Sequence, residues 1–230
     1  MLMNTTTDFF VTVERIFHDW NYGHPKVLWG LIRALKPSVV VEVGTYRGYA
    51  ACYIARALQE NNHGHLYCID NFSLRDHVSK YGDPVQHWER NLTDCGVRDW
   101  ASLIIGTSDK VAKWPASIDL AYIDGWHSYA QAKLDFDNCA AAGATCICLD
   151  DTLNCIGPRK LVAEVDRKKW SVTTLPNDNG LTICTQLNDR RVTFSQELPD
   201  NPGTDITAFS DEQVKAHLQL ASQSNGVRYE

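Results

Sequence analysis

Short β-branched segments alternate with helical segments along this chain, and that alternation most restricts how it can fold. Val39–Val43 is a β-branched run typical of a strand buried on both faces of a parallel sheet. A helix is predicted over Tyr49–Leu58, and a second strand over His65–Asp70. Further strands are predicted at Ser102–Ile105, Ile118–Ile123, Thr145–Leu149, Trp170–Thr174 and Leu181–Thr185. Such βαβ units indicate an α/β fold with a doubly wound, seven-stranded, mostly parallel sheet.

The regions on either side of the sheet segments differ from them in pattern. Apolar residues recur at helical spacing within residues 1–36, which predicts N-terminal helices beside a ligand site, and the sheet domain is expected over residues 37–186. Residues 187–230 are polar and rich in turn formers, and Ser210 begins a capping box for a short helix ending at Leu220. We therefore expect one filled α/β domain with an N-terminal helical part and a C-terminal appendage.

Charge and cysteine usage exclude several classes of function. The net charge of −6 comes from 28 acidic against 22 basic residues, which disfavours a nucleic-acid partner. No signal peptide is recognisable in residues 1–10, and the longest apolar stretch, Cys139–Leu149, is far shorter than the about 20 residues of a membrane span. The eight cysteines show no C-x-x-C spacing and are expected to be reduced, buried thiols. These features predict a cytoplasmic protein without a membrane partner.

A glycine-containing turn follows the first predicted strand, where a doubly wound fold binds its ligand. The pattern is E-x-G-x-x-x-G, from Glu42 through Gly44 to Gly48, and it lacks the close glycine pair that a dinucleotide pyrophosphate needs. The ammonium and sulfonium of S-adenosylmethionine suit an acid such as Glu42, and Asp70 at the end of the second strand suits ribose hydroxyls. The alternative is a purely structural turn in which Asp70 caps the next segment.

Acidic residues also follow two strands that are expected to be neighbours. Asp124 comes after the strand ending at Ile123, and Asp150 and Asp151 come after the strand ending at Leu149. Adjacent strands lie about 4.8 Å apart, so these carboxylates are expected to converge at one edge of the sheet. A hard cation such as Mg²⁺ would relieve their repulsion. The alternative makes Asp124 a helix N-cap and the other two a solvated turn.

These segments together resemble a known family. Ser38–Tyr49 is similar to the cofactor loop of catechol O-methyltransferase and its relatives. Ile123–Tyr129 and Leu149–Asp151 resemble later motifs of metal-dependent sugar O-methyltransferases from macrolide and aminocoumarin pathways, and similar motifs occur in cephalosporin-biosynthesis methyltransferase-like proteins. The match runs from Tyr22 to Leu153, and the order and spacing of its motifs are more specific than any one of them. The resemblance implies a class I S-adenosylmethionine-dependent methyltransferase with a Rossmann-like fold.

The resemblance assigns roles to individual residues. It implies cofactor contacts by residues of the glycine turn, the second strand end and the two later loops, namely Glu42, Gly44, Thr45, Tyr46, Gly48, Asp70, Ser108, Asp124 and Trp126. Among these, Ser108 would meet the adenine edge and Trp126 its face. The metal-ligand positions fall on Asp124, Asp150 and Asp151. Asp151 stands where the catechol enzymes have Asn, in agreement with the sugar-modifying enzymes, and nothing after Thr185 matches.

His127 falls where relatives of that family carry a general base. It lies three residues after Asp124, just before a helix predicted over Ser128–Ala142, and a helix N-terminus and a nearby cation both favour the neutral imidazole that a base requires. The alternative is a partly buried histidine with local hydrogen bonds. For His18 and His24, on either side of the turn near Tyr22, we prefer a non-functional interpretation.

The sequence therefore predicts an enzyme that uses S-adenosylmethionine and Mg²⁺, or another divalent cation, to methylate a hydroxyl of a small metabolite of the sugar or polyphenol class. A homo-oligomer is compatible with it. Two other hypotheses stay open at this point. One is an NAD-dependent oxidoreductase, which the missing G-x-G-x-x-G disfavours, and the other is a cofactor-binding protein without catalytic activity.

Overall fold

The computed structural model describes residues 6–18, 23–73, 82–110, 115 and 117–187. The described residues fall within one compact unit, residues 1–188. The tail helix predicted over residues 210–220 lies outside the described residues.

Seven strands form one sheet in the order β3-β2-β1-β4-β5-β7-β6. The strands are β1 (Val39–Val43), β2 (His65–Asp70), β3 (Ala101–Ile105), β4 (Leu120–Ile123), β5 (Cys146–Leu149), β6 (Trp170–Leu175) and β7 (Leu181–Gln186). The pairs among β1 to β5 are parallel, whereas β7 is antiparallel to both β5 and β6. The predicted α/β fold with a seven-stranded, mostly parallel sheet is confirmed, and the chain order reverses direction between β1 and β4, where such folds bind ligands.

Within the described residues, six α-helices cover the two faces of this sheet. They are α1 (Thr6–Ile16), α2 (His24–Leu35), α3 (Tyr49–Asn61), α4 (Pro84–Asp94), α5 (Tyr129–Ala141) and α6 (Ile156–Glu164). Helices α1 to α4 pack on one face of the sheet, where they share a core with strand residues such as Val40. Helices α5 and α6 pack on the other face, where they share a core with the strand residues between those, such as Val41. The two-residue side-chain period of buried strands thus divides the apolar residues between two layers of helices. None of the helices in these ranges has the length and apolar composition needed to cross a membrane.

Helix ends explain most differences from the predicted boundaries. Helix α3 continues past Leu58 to Asn61, and its C-cap Asn62 adopts a left-handed conformation with φ 49°. Helix α4, which was not predicted from the sequence, begins with Pro84 behind an Asp83 side chain that accepts from Val85 N. That arrangement is a regular N-terminus for a helix, with a capping carboxylate followed by proline.

The glycine turn after β1 is pressed against the backbone that follows β4. Gly44 has φ +87°, and a Cβ at this position would lie 2.2 Å from the carbonyl oxygen of Asp124. Asp124 N in turn donates to Val43 O at 2.8 Å. A residue with a side chain cannot occupy position 44 without separating these two loops, and glycine is therefore required both for its φ and for this close approach.

We predict that Gly44→Ala destabilises the fold more than Gly143→Ala does. The two glycines have nearly equal φ, +87° and +93°, but nothing lies within 4 Å of a Cβ at Gly143. The control should lose about 1–2 kcal/mol from left-handed strain alone, and Gly44→Ala about 1–3 kcal/mol more from the backbone clash. Urea denaturation of both variants measures this difference, and equal losses would show that the contact with Asp124 is unimportant.

Candidate active site

A cavity of about 710 Å³ opens at the carboxyl ends of β1, β2, β4 and β5. Its wall includes eleven of the residues proposed from the sequence, which are Glu42, Gly44, Thr45, Tyr46, Asp70, Ser108, Asp124, Trp126, His127, Asp150 and Asp151. Gly48 is not part of the wall. It is the N-cap of α3 with φ +84°, and a Cβ there would lie 2.7 Å from the Leu92 side chain, so Gly48 serves the packing of α3 against α4.

Glu42 is a buried carboxyl at the floor of this cavity, with 1% of its surface exposed. Its Oε2 accepts a hydrogen bond from the Cys68 thiol at 3.2 Å. Burial raises the pKa of Glu42 to about 8, although hydrogen bonds from Thr45 and Cys68 oppose the change. No cationic side chain among the described residues forms an ion pair with this carboxyl at the end of β1, and a bound positive group would stabilise its charged form.

Asp70 ties the glycine turn to the end of β2. Its Oδ2 accepts from Tyr46 N and its Oδ1 from Phe72 N, each at 2.8 Å. Tyr46 takes a left-handed φ of 47° to present this N–H, and Thr45 beside it accepts from Trp88 Nε1 at 3.0 Å. A carboxylate oxygen has about two acceptor positions, so both oxygens of Asp70 can still accept a ligand hydroxyl.

A polar group lies farther along the cavity, beyond the end of β3. Ser108 Oγ donates to Asp135 Oδ1, and Gln131 Nε2 donates to the same two oxygens at 2.8 and 2.9 Å. Asp135 is 1% exposed, and within the described part of the chain its Oδ2 has no hydrogen-bond partner. Burial raises the pKa of Asp135. The sequence analysis did not identify Asp135 or Gln131, because both lie on α5, twenty or more residues after Ser108.

Two of the three aspartates proposed as metal ligands, Asp124 and Asp150, lie next to the hydroxyl of Tyr122. This hydroxyl lies 2.5 Å from Asp150 Oδ2 and 3.3 Å from Asp124 Oδ2. Desolvation in the cavity and the charges of Asp150 and Asp151 raise the pKa of Asp124 to about 7, against a hydrogen bond from His127 that lowers it. The adjacent strand ends therefore gather these carboxylates at one edge of the sheet, with mutual repulsion that the side chains only partly relieve.

His24, at the start of α2, is a site residue that the sequence analysis missed. It is 1% exposed, its Nδ1 lies 2.6 Å from Asp150 Oδ1, and its Nε2 lies 2.9 Å from Asn177 O. Both partners are acceptors, so both ring nitrogens carry hydrogen and the imidazole is a cation. Burial alone would lower the pKa of His24, but the hydrogen bond and charge of Asp150 raise it to about 9. Its partners are more than 120 residues away, and no local signal marks it.

His127 lies between two of the aspartates. Its Nε2 is 3.6 Å from Asp124 Oδ1 and 3.2 Å from Asp151 Oδ2, and its Nδ1 is 3.4 Å from Cys155 Sγ. The hydrogen bond to Asp124 and the charges of Asp151 and Asp124 raise the pKa of His127. The sequence analysis expects a neutral ring, whereas the flanking carboxylates favour the protonated form; a cation among them would reverse that preference.

Cys155 differs from the other seven cysteines, which are buried as expected. It is partly exposed because it is the N-cap of α6 and faces the aspartate cluster. Within the described residues, ligand atoms of Cys155, His127 and Asp151 lie within 4.8 Å of one another. Sequence spacing gave no indication of this cluster.

Residues 41–152 match the family model described as a methyltransferase domain. The structure is similar to a methyltransferase from Geobacter sulfurreducens, with a TM-score of 0.59, 19% identity and coverage of 81% of this chain and 93% of that one. It is also similar to an O-methyltransferase from Bacillus cereus in complex with SAH, with a TM-score of 0.58, 15% identity and coverage of 81% and 94%. The O-methyltransferase TomG from Streptomyces achromogenes, in complex with SAM, gives a TM-score of 0.59 at 15% identity, with coverage of 81% and 93%.

One curated relative is an uncharacterized protein, y4gI, from Sinorhizobium fredii, which is 27% identical over 122 residues. The matched region is 52% of this chain but spans only 13% of that relative's length. The similarity is therefore to one domain of a much longer protein.

We predict that the Glu42→Gln substitution removes a pH dependence of stability. The folded state holds the Glu42 proton up to a pKa of about 8, whereas the ordinary value is 4.5. Raising the pH through this window lets the unfolded chain lose its proton first, so the parent should become less stable relative to the variant. The change should exceed about 1 kcal/mol, because each pKa unit is worth about 1.4 kcal/mol. Urea denaturation of both proteins at pH 5 and pH 8 measures this change in relative stability. If the difference in unfolding free energy between parent and variant is the same at both pH values, the raised pKa of Glu42 is contradicted.

Proposed function

We propose that this chain transfers a methyl group from S-adenosylmethionine to a hydroxyl of a small metabolite, with a divalent cation at the aspartate cluster. The match of residues 41–152 to a methyltransferase-domain model and the topology of the sheet support this proposal. One observation carries the proposal. A single cavity joins the buried, uncompensated carboxyl of Glu42 to the cluster of Asp124, Asp150 and Asp151. These two acidic regions suit the cationic methionine end of the cofactor and an oxygen-binding metal.

The methionine end of the cofactor would lie against the glycine turn. Glu42 would lose its proton on accepting a hydrogen bond from the ammonium group, which would supply a positive charge that no described residue places beside it. The turn takes its shape from Gly44, Thr45 and Tyr46. The carboxylate of Asp70 already accepts two backbone N–H groups, and its remaining lone pairs would accept hydrogen bonds from the ribose hydroxyls.

The adenine end would lie beside Ser108 and α5. The buried Oδ2 of Asp135 lacks a donor, and the exocyclic amino group of adenine is a donor of the required kind. Trp126 lines the same cavity with 66% of its surface exposed, so its indole face is open to a stacked base. These contacts support a nucleoside ligand with an unphosphorylated ribose.

The donor set fits a hard divalent cation. Asp124, Asp150 and Asp151 would hold it, since carboxylate oxygens are the ligands Mg²⁺ prefers, and His24 compensates only one of their charges. When bound, the ion would lower the pKa of an acceptor hydroxyl and fix its orientation toward the methyl group.

His127 would remove the proton of the acceptor hydroxyl. When bound, S-adenosylmethionine would supply the methyl group for attack by the hydroxyl oxygen and would keep the electron pair of the broken carbon–sulfur bond as a neutral thioether. The hydroxyl proton passes to Nε2 of His127, the ring nitrogen that faces the aspartates in this structure. His24 would keep Asp150 oriented throughout, because Asn177 O fixes the opposite side of its ring.

The acceptor class rests on the cavity and on the similar structures. A volume of about 710 Å³ suits a small molecule beside the cofactor, and two of the similar proteins are O-methyltransferases by name. The proposed acceptor is a hydroxylated sugar or polyphenol. The domain boundaries at residues 36 and 186, the homo-oligomer, the absence of a nucleic-acid or membrane partner and the cytoplasmic location stay predictions.

The function is tested by measuring methyl transfer from labelled S-adenosylmethionine to a panel of hydroxylated sugars and polyphenols, with Mg²⁺ and with excess chelator. We expect turnover of at least one acceptor with Mg²⁺ and its loss in chelator. Full activity in chelator would contradict the metal, and binding of NADH in preference to S-adenosylmethionine would overturn the whole proposal.

Two variants should separate proton removal from cofactor binding. His127→Ala should lower turnover by about 10²–10⁴ and leave cofactor affinity within a few-fold, since a positioned base acts on the chemical step. Asp70→Ala should instead weaken cofactor affinity severely, because it removes the ribose acceptor. Isothermal titration and turnover at saturating acceptor measure the two effects. Near-parental turnover of His127→Ala would make this residue structural.

A further inference from the structure

Three side chains of different chemistry meet at one edge of the aspartate cluster. His127 comes from the loop before α5, Asp151 from the loop after β5, and Cys155 from the N-cap of α6. Their ligand atoms lie within 4.8 Å of one another. The proposed methyl transfer uses the first two residues but gives no role to the thiol.

The backbone holds this trio in place. Gly157, in the first turn of α6, packs so closely that a Cβ there would lie 2.2 Å from the carbonyl oxygen of His127. Cys155 N donates to Asp151 O at 2.8 Å, and Asp151 itself takes a left-handed φ of 56°. The two loops and the helix start are thus fixed to one another through main-chain atoms, which makes the arrangement of the three side chains rigid.

The two distances from the Cys155 thiol to the other donor atoms match those around a tetrahedral ion. Ligand atoms bound tetrahedrally at about 2.0–2.3 Å stand about 3.3–3.8 Å apart. Cys155 Sγ lies 3.4 Å from His127 Nδ1 and 3.7 Å from Asp151 Oδ2. A thiolate and an imidazole select Zn²⁺ and similar borderline cations over Mg²⁺, which takes oxygen ligands.

We propose that Zn²⁺, or a cation of the same class, binds to Cys155 Sγ, His127 Nδ1 and Asp151 Oδ2 and inhibits the enzyme. Binding releases to solvent the thiol proton and, where the His127 ring is protonated, the proton on Nδ1. An ion on Nδ1 leaves the remaining ring hydrogen on Nε2, so His127 can no longer accept a proton there. The ion also occupies the Asp151 carboxylate, which then cannot bind the divalent cation together with Asp124 and Asp150. The inhibition rests on the proposed function, whereas the site itself does not.

The site is tested with Co²⁺ as a spectroscopic probe for Zn²⁺ on the full chain, without cofactor or acceptor. The parent should develop a thiolate-to-cobalt charge-transfer band in the near ultraviolet. Cys155→Ala should lose the band and bind Co²⁺ about tenfold or more weakly. The matched control, Cys139→Ala, removes a buried thiol on α5 and should keep the band. Cys155→Ser, closer in shape, should behave as Cys155→Ala does.

A band that persists in both Cys155 variants, or Co²⁺ bound by the parent without any band, would overturn the site. The inhibition is then tested by adding Zn²⁺ to methyl transfer in saturating Mg²⁺. Cys155→Ala should match the parent without Zn²⁺ and need at least about tenfold more Zn²⁺ for half inhibition; equal sensitivity would contradict the inhibitory role. If no acceptor is methylated, the proposed function fails, but the Co²⁺ spectra still decide the site.

Discussion

The contact between the glycine turn and the backbone after β4 is the constraint on which the site depends. Gly44 lies so close to the Asp124 carbonyl that the loops after two parallel neighbours, β1 and β4, form one continuous wall. Glu42 is fixed on one side of that wall and Asp124 on the other. For the proposed reaction, the distance between the cofactor and the acceptor would therefore depend on this main-chain packing.

Carboxyl groups outnumber cationic side chains among the described residues that line the cavity. Burial keeps a proton on Glu42 up to a pKa of about 8, and desolvation with neighbouring charges raises the pKa of Asp124 to about 7. Of the two imidazoles described in this cavity, His24 is the buried one, and it is paired with Asp150. A cavity of this kind has its strongest electrostatic interactions only when cationic ligands are present. The buried carboxyl groups therefore lower the stability of the free protein and raise its affinity for cationic ligands.

The spacing of apolar residues along the sequence and the position of polar residues at strand ends sufficed to predict most of the fold and part of the site. The β-branched run at β1 and the glycine turn after it predicted a buried parallel strand with a ligand site at its end. The aspartates that follow β4 and β5 were expected to meet, because neighbouring parallel strands end at the same edge of a sheet. His24, Asp135 and Cys155 were not predicted as site residues. His24 depends on a turn 153 residues away, and Asp135 is drawn in by the packing of α5 on the sheet. Such contacts leave no local pattern.

The turn between β6 and β7 has an evolutionary consequence. Asn177 O bonds His24, Asp178 Oδ2 accepts from Gly23 N at 2.6 Å, and Asn179 O accepts from Leu153 N at 2.9 Å. One hairpin tip therefore joins the start of α2 to the loop that carries the aspartates. An insertion in that tip would disturb the partner of Asp150 from a distance, so the N-terminal helix and the last hairpin must diversify together, and a chimera that inherits only one of them would lose the buried imidazolium.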